Sequence, residues 1–201
     1  MIRWIVMAAA LLSVLTGPML VASPADAQSA RSAHGDTPGD PDTFSSRELV
    51  DSGHHFFGGV SRGLGLTVQE AFRRWGRPTG YILGEEGSGA FFGGLRYGEG
   101  VLYMRRRPQQ RIFWQGPSIG FDVGGAGART MMLVYNMHDM SEMEKRFVEL
   151  EGQAYVIAGF GLTAATADNI VVVPIRSGVG LRVGVNLGYI KFSRAPTWNP
   201  F

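Results

Sequence analysis

Apolar and polar positions along this chain repeat with two different periods. Between residues 179 and 189, Val179, Leu181, Val183, Val185, Leu187 and Tyr189 are separated by Gly180, Arg182, Gly184, Asn186 and Gly188. A period of two gives a strand one apolar face and one small or polar face. This segment predicts a strand over 179–192. Similar runs punctuated by glycine predict strands over 81–83, 90–97, 101–106, 111–114, 119–123, 130–135, 154–160 and 170–174. The stretch YGEG (97–100) reads as a hairpin turn. Glycine weakens strands, so its recurrence needs a physical cause. Tight coiling of a small closed barrel, or close approach of neighbouring backbones, supplies one.

The other period is helical. Val68, Ala71, Phe72 and Trp75 stand at i, i+3, i+4 and i+7, on one face, and Gly76 with Pro78 beyond it stops the helix. TVQE (67–70) reads as its capping box. SSRE (45–48) is another, opening a segment that carries Leu49, Val50, Phe56 and Phe57. A third, SEME (141–144), predicts a short helix running toward residue 148. The glycine-rich stretch 58–65 reads as a loop. The pattern as a whole is mainly β, with two or three short helices.

The first 27 residues have the form of a secretory signal peptide. Arg3 supplies the positive start, Trp4 to Leu15 the apolar core, and Ala25-Asp26-Ala27 the cleavage site. Gly17-Pro18 interrupts the apolar stretch, which favours cleavage over retention as an anchor. The expected location is the periplasm. Residues 28–44 are rich in Ser, Ala, Gly, Asp and Pro and read as a flexible leader. Residues 45–201 read as one barrel domain with helices at its N-terminal end. The chain has no cysteine, so disulfides, thiolate chemistry and a lipidated N-terminal cysteine are all excluded. Nineteen basic residues face seventeen acidic ones, for a net charge of +2. So small a surplus does not suit a nucleic-acid partner.

Candidate chemistry is sparse. GFDVGGAGAR (120–129) is glycine-rich, but Thr130 stands where a dinucleotide fingerprint needs its third glycine. A strand-like run follows it, with no helix to meet a phosphate. The simpler reading is a tight turn flanked by Asp122 and Arg129 as a candidate pair. GPSIG (116–120) matches a nucleophile-elbow pattern without the strand-to-helix context that motif requires. Adjacent His54 and His55 point to different sides of a helix and do not chelate together. Glu85 and Glu86 read as a solvated turn. Arg105, Arg106 and Arg107, with Arg111 nearby, form the one dense basic cluster, suited to lipid headgroups or acidic glycans. The candidate ligand-binding residues are therefore Arg105, Arg106, Arg107, Arg111, Asp122 and Arg129. No catalytic residue, metal ligand, cofactor or nucleotide site is expected.

The segments GRPTGYILGEEGSGAFFGGLRYGEGVLYM (76–104), WQGPSIGFDVGGAGARTMMLVYN (114–136) and VVVPIRSGVGLRVGVNLGYIKFSRAPTWNPF (171–201) resemble the envelope integrity protein A family of exported alphaproteobacterial proteins. The resemblance runs from about Phe44 to Phe201 in order and spacing. It implies a small antiparallel β-barrel in the periplasm, needed for a sound envelope, with no catalytic residues to carry over. GLRYGEGVL (94–102), and SIGFDVGG (118–125) followed by MMLV (131–134), are also similar to the glycine-rich strands of SYLF (Ysc84-like) lipid-binding domains, which implies a lipid ligand.

The expectation is a non-enzymatic periplasmic barrel that supports the envelope by binding a lipid, a glycan or an envelope protein, peripheral membrane contact included. Two alternatives fit parts of the pattern. An integral outer-membrane barrel would turn the apolar faces outward to lipid. A glycan-cleaving envelope enzyme would need two of Glu85, Glu86, Glu99 and Asp122 in one cleft.

Overall fold

A computed structural model describes residues 40–59, 62–89, 95–117, 128–177 and 188–197. Among the described residues, eight antiparallel strands close into a barrel. They are β1 (Gly80–Gly89), β2 (Leu95–Met104), β3 (Gln110–Pro117), β4 (Ala128–Tyr135), β5 (Arg146–Ile157), β6 (Phe160–Ala167), β7 (Ile170–Ser177) and β8 (Tyr189–Ser193). The order around the wall is β1, β2, β3, β8, β5, β6, β7, β4, and β4 pairs back to β1. The last described strand thus sits between β3 and β5, not at the end of the series.

An eight-stranded barrel is just wide enough for side chains to fill it. Here every strand contributes to the filling. Ile82, Leu102, Ile112, Trp114, Met132, Val134, Phe147, Ala165, Val172, Ile190 and Phe192 all lie buried in one cluster. A 3₁₀ turn at Met140–Met143 brings Met140 and Met143, with Met137, into the same cluster and stoppers that end of the barrel. Each such side chain contributes roughly 1.5–3 kcal/mol by leaving water.

Trp114 sets the local spacing of the wall. A Cβ on Gly98 would run into its indole, and one on Gly84 would stand 2.7 Å from its Cη2. The glycines of YGEG therefore lie within β2, making room for the tryptophan and for the β1 backbone. They do not form a hairpin turn, and the predicted strands 90–97 and 101–106 become one element over its described part.

A second apolar cluster lies outside the barrel. Helix α1 (Ser46–Phe57) and helix α2 (Arg62–Trp75) lay Leu49, Leu64, Val68 and Ala71 against Met131, Leu133 and Tyr135 of β4, Leu162 and Ala164 of β6, and Val173 and Ile175 of β7. The Ser45–Glu48 capping box is present as the sequence implies. TVQE is not a cap. Helix α2 begins at Arg62, so Thr67 is mid-helix and donates from Oγ1 to the Gly63 carbonyl at 2.8 Å. Gly63 lies inside this helix and not in a loop because it meets the β5–β6 turn, where a Cβ would collide with Ala158. The third predicted helix is only the 3₁₀ turn, capped by Asp139, because Arg146 already starts β5.

The predicted strand 154–160 is two strands and a turn. Ala158 (φ 46°) and Gly159 (φ 89°) are both left-handed, as a two-residue primed hairpin turn requires. The alanine hid that turn from a reading keyed to glycine and asparagine. Residues 119–123 and most of 179–188 lie outside the described residues.

The two faces of the wall are the reverse of a lipid-spanning barrel. Apolar side chains fill the inside, helices cover β4, β6 and β7, and charged Glu99, Arg111, Arg146 and Lys191 stand on outward positions of β2, β3, β5 and β8. That arrangement counts against the outer-membrane alternative.

An alanine in the left-handed region costs about 1 kcal/mol. Ala158→Asn should therefore raise the unfolding free energy by about 0.5–1 kcal/mol, since asparagine tolerates that conformation. Urea titration of the two proteins checks it. A loss of stability would mean that the Ala158 contact with α2 outweighs backbone strain.

Candidate functional site

Two polar arrangements deserve comparison, one inside the barrel and one on its outer wall. Opposite the methionine stopper, inward positions of four strands carry Glu86 (β1), Arg96 (β2), Glu149 (β5) and Arg176 (β7), and Glu86, Arg96 and Glu149 are all buried. Arg176 donates from Nε to Glu86 Oε1 at 3.0 Å and from Nη2 to Oε2 at 3.3 Å. Trp114 Nε1 donates to the same Oε2 at 2.8 Å. Arg96 Nη2 donates to Glu149 Oε1 at 2.5 Å and to the Tyr189 carbonyl at 3.2 Å. Burial pushes the Glu86 carboxyl up. Arg176 and Arg96, with the hydrogen bonds from Arg176 and Trp114, more than offset it and hold Glu86 below the usual carboxylate value of 4.5.

This network is a brace. Its members link six of the eight strands, counting Trp114 on β3 and the Tyr189 carbonyl on β8. Glu86 is thus not in a solvated turn. Glu85 and Glu99 face each other across β1 and β2 on the convex outer wall, where Arg111 Nη2 donates to Glu99 at 3.1 Å. Neither place resembles the paired-carboxylate cleft that glycan hydrolysis needs.

The candidate arginines are not brought together. Arg105 donates to Glu48 and lies over the Phe44 ring at 4.4 Å, fastening the entry of α1 to the β2–β3 turn. Arg106 stands 3.5 Å from Asp42, and Arg107 donates to Asp139 at 2.9 Å. Arg111 is on β3, further along the wall. Arg129 donates to the Phe56 carbonyl at 2.9 Å, at the far end of α1. Asp122 lies outside the described residues, as does its candidate pairing with Arg129.

On the outer wall of β2, β3, β8 and β5, helix α2 reaches the C-terminal half of β5, where Arg74 donates to the Tyr155 hydroxyl at 2.8 Å. The rest of that wall is formed by β2, β3, β8 and the start of β5. Its outward positions present Tyr97, Glu99 and Tyr103 on β2, Arg111 and Phe113 on β3, Tyr189 and Lys191 on β8, and Arg146 on β5. Gln115 lies buried among them. Arg111 sits 5.4 Å from the Phe113 ring centre and Arg146 5.4 Å from that of Tyr189. Rings and cations from four strands share this face, with Lys191 and Arg146 directly opposite each other, a grouping that single-strand reading missed. Only the strand order β2-β3-β8-β5 assembles it.

The family model for envelope integrity protein A matches residues 42–201. The chain belongs to the envelope integrity protein A family. It is also similar to a solved structure described as a β-barrel-like, uncharacterised protein from Brucella abortus. The two share 56% identity over 80% of this chain and 99% of that one, with a TM-score of 0.74. No curated protein matches the chain. The family is associated with envelope integrity by its name, and the small antiparallel barrel expected from the resemblance is the observed fold.

Replacing Glu86 with glutamine leaves the partly buried Arg176 without its charge partner, which should cost about 3 kcal/mol at neutral pH. Equilibrium unfolding of Glu86→Gln measures it, and a loss within error of zero refutes the bracing role.

The folded value of Glu86 lies below 4.5. Its contribution is therefore complete above 4.5 and drains away as pH falls through the folded value. Thermal melts from pH 7 to pH 3 should show a shallower acid decline for Glu86→Gln than for the parent. Parallel declines would assign the acid sensitivity elsewhere.

Proposed function

We propose that this protein is a non-enzymatic periplasmic support of the cell envelope, acting by holding an envelope component against the outer wall of β2, β3, β8 and β5. One observation carries the reading: the barrel's outside is divided. Helices α1 and α2 occupy the wall of β4, β6, β7 and the C-terminal half of β5, and the wall of β2, β3, β8 and the start of β5 presents half-buried aromatics together with exposed or partly exposed charges. The inside supports it too, because its apolar part is filled by side chains and its charged part is tied into ion pairs. Family membership supports an envelope role, and the A-x-A site after an apolar N-terminal stretch supports export.

The test is complementation of a deletion strain under detergent stress, with periplasmic fractionation of the same cells. The parent chain should restore growth and be recovered in the periplasmic fraction. The pair Arg111→Glu and Lys191→Glu should be recovered equally well yet fail to restore growth. A charge-reversed wall that complements fully would remove the wall from the function, and recovery in the cytoplasm would remove the periplasmic reading.

A further inference from the structure

We propose that Met104 is a reversible oxidation site through which peroxide loosens the methionine-stoppered end of the barrel. The inference concerns the interior and does not depend on the outer wall. The chain has no cysteine, so the oxidation chemistry of sulfur falls to its methionines. Among the described residues, Met131, Met132, Met137, Met140 and Met143 are at most 2% exposed. Met104 is the described methionine that water reaches. Oxidation follows exposure, so burial sets an order of reaction in which Met104 comes first.

The position of Met104 gives that order a consequence. It is the last residue of β2, pairs with Gly80 at the start of β1, and shares the inward row of Leu102. Its side chain packs against the buried cluster that fills the lumen. A Cβ on Gly80 would stand 3.5 Å from Met104 Cγ and 3.5 Å from Met137 Cε, so both methionines lie over the same glycine. Met104 therefore forms the rim of the stopper, partly in water and partly on its apolar neighbours.

The chemistry is an oxygen transfer. The Met104 sulfur gives up an electron pair to one oxygen of hydrogen peroxide, the O–O bond breaks, and water leaves. The product is a sulfoxide, which turns a flexible apolar side chain into a polar one. A polar rim favours hydration over contact with Met137, and the stopper loses its outer packing. Methionine sulfoxide reductase removes the oxygen, so the change is reversible.

The purified full chain is treated with hydrogen peroxide, sampled over time for peptide mapping by mass spectrometry, and melted at each time point. Met104 should gain its oxygen before Met137, Met140 and Met143 do. The melting temperature should fall in step with that gain, by roughly 2–4 °C or more. Treatment with the reductase should restore it. Met104→Leu, which keeps the apolar volume and removes the reactive sulfur, should hold its melting temperature under the same peroxide. Each protein is compared with its own untreated melt, so a difference in starting stability does not enter.

Oxidation of the buried methionines as fast as Met104 overturns the proposal. So does an unchanged melt once Met104 is fully oxidised, which would make that residue a bystander. A Met104→Leu variant that loses stability in peroxide as the parent does would place the sensitive group elsewhere and overturn it too.

Discussion

The barrel is built around one indole. Trp114 projects from β3 into a lumen wide enough for a single layer of side chains, and β1 and β2 come past it only because positions 84 and 98 lack a Cβ. The ring's apolar body joins the aliphatic filling on one side. Its N–H reaches Glu86 on the other, where the filling becomes ionic. Trp114 is therefore the hinge between two kinds of interior, and the glycines around it follow from its size.

That constraint explains what the sequence shows and what it hides. Local features are plain. The Ser45–Glu48 cap and the face made by Val68, Ala71, Phe72 and Trp75 involve residues within one or two turns, so pattern and structure agree. Features that depend on distant partners are not plain. YGEG resembles a turn until Trp114 is known to lie beneath it. Glu86 resembles a surface residue until Arg176, ninety positions later, is known to meet it. Thr67 and Glu70 match a cap by spacing, yet the helix starts earlier because Gly63 and Leu64 pack on the barrel and its neighbour helix. The aromatic and basic wall was illegible for the same reason, since its strands are scattered through the chain.

The two polar arrangements divide the work of charge. Inside, four ionised groups in low dielectric are held by mutual pairing, so removing any one leaves its partner stranded. Outside, Arg111 and Glu99 are largely hydrated and their bridge contributes little to stability. Weak outer pairs exchange partners at small cost, whereas strong inner ones do not. The same residue types thus serve as framework in one place and as an adaptable surface in the other.

The place of β8 has a consequence for how the chain matures. A polypeptide that has emerged only through β7 can form the β1–β2–β3 ribbon and pair β4 with β1 and with β7. It has nothing to set between β3 and β5. Until that keystone arrives, two strand edges stay open and the oily interior is wetted, the condition in which chains stick to one another. In a barrel whose wall is closed by its last described strand, pairing with a second copy through those edges competes with closure until β8 is in place.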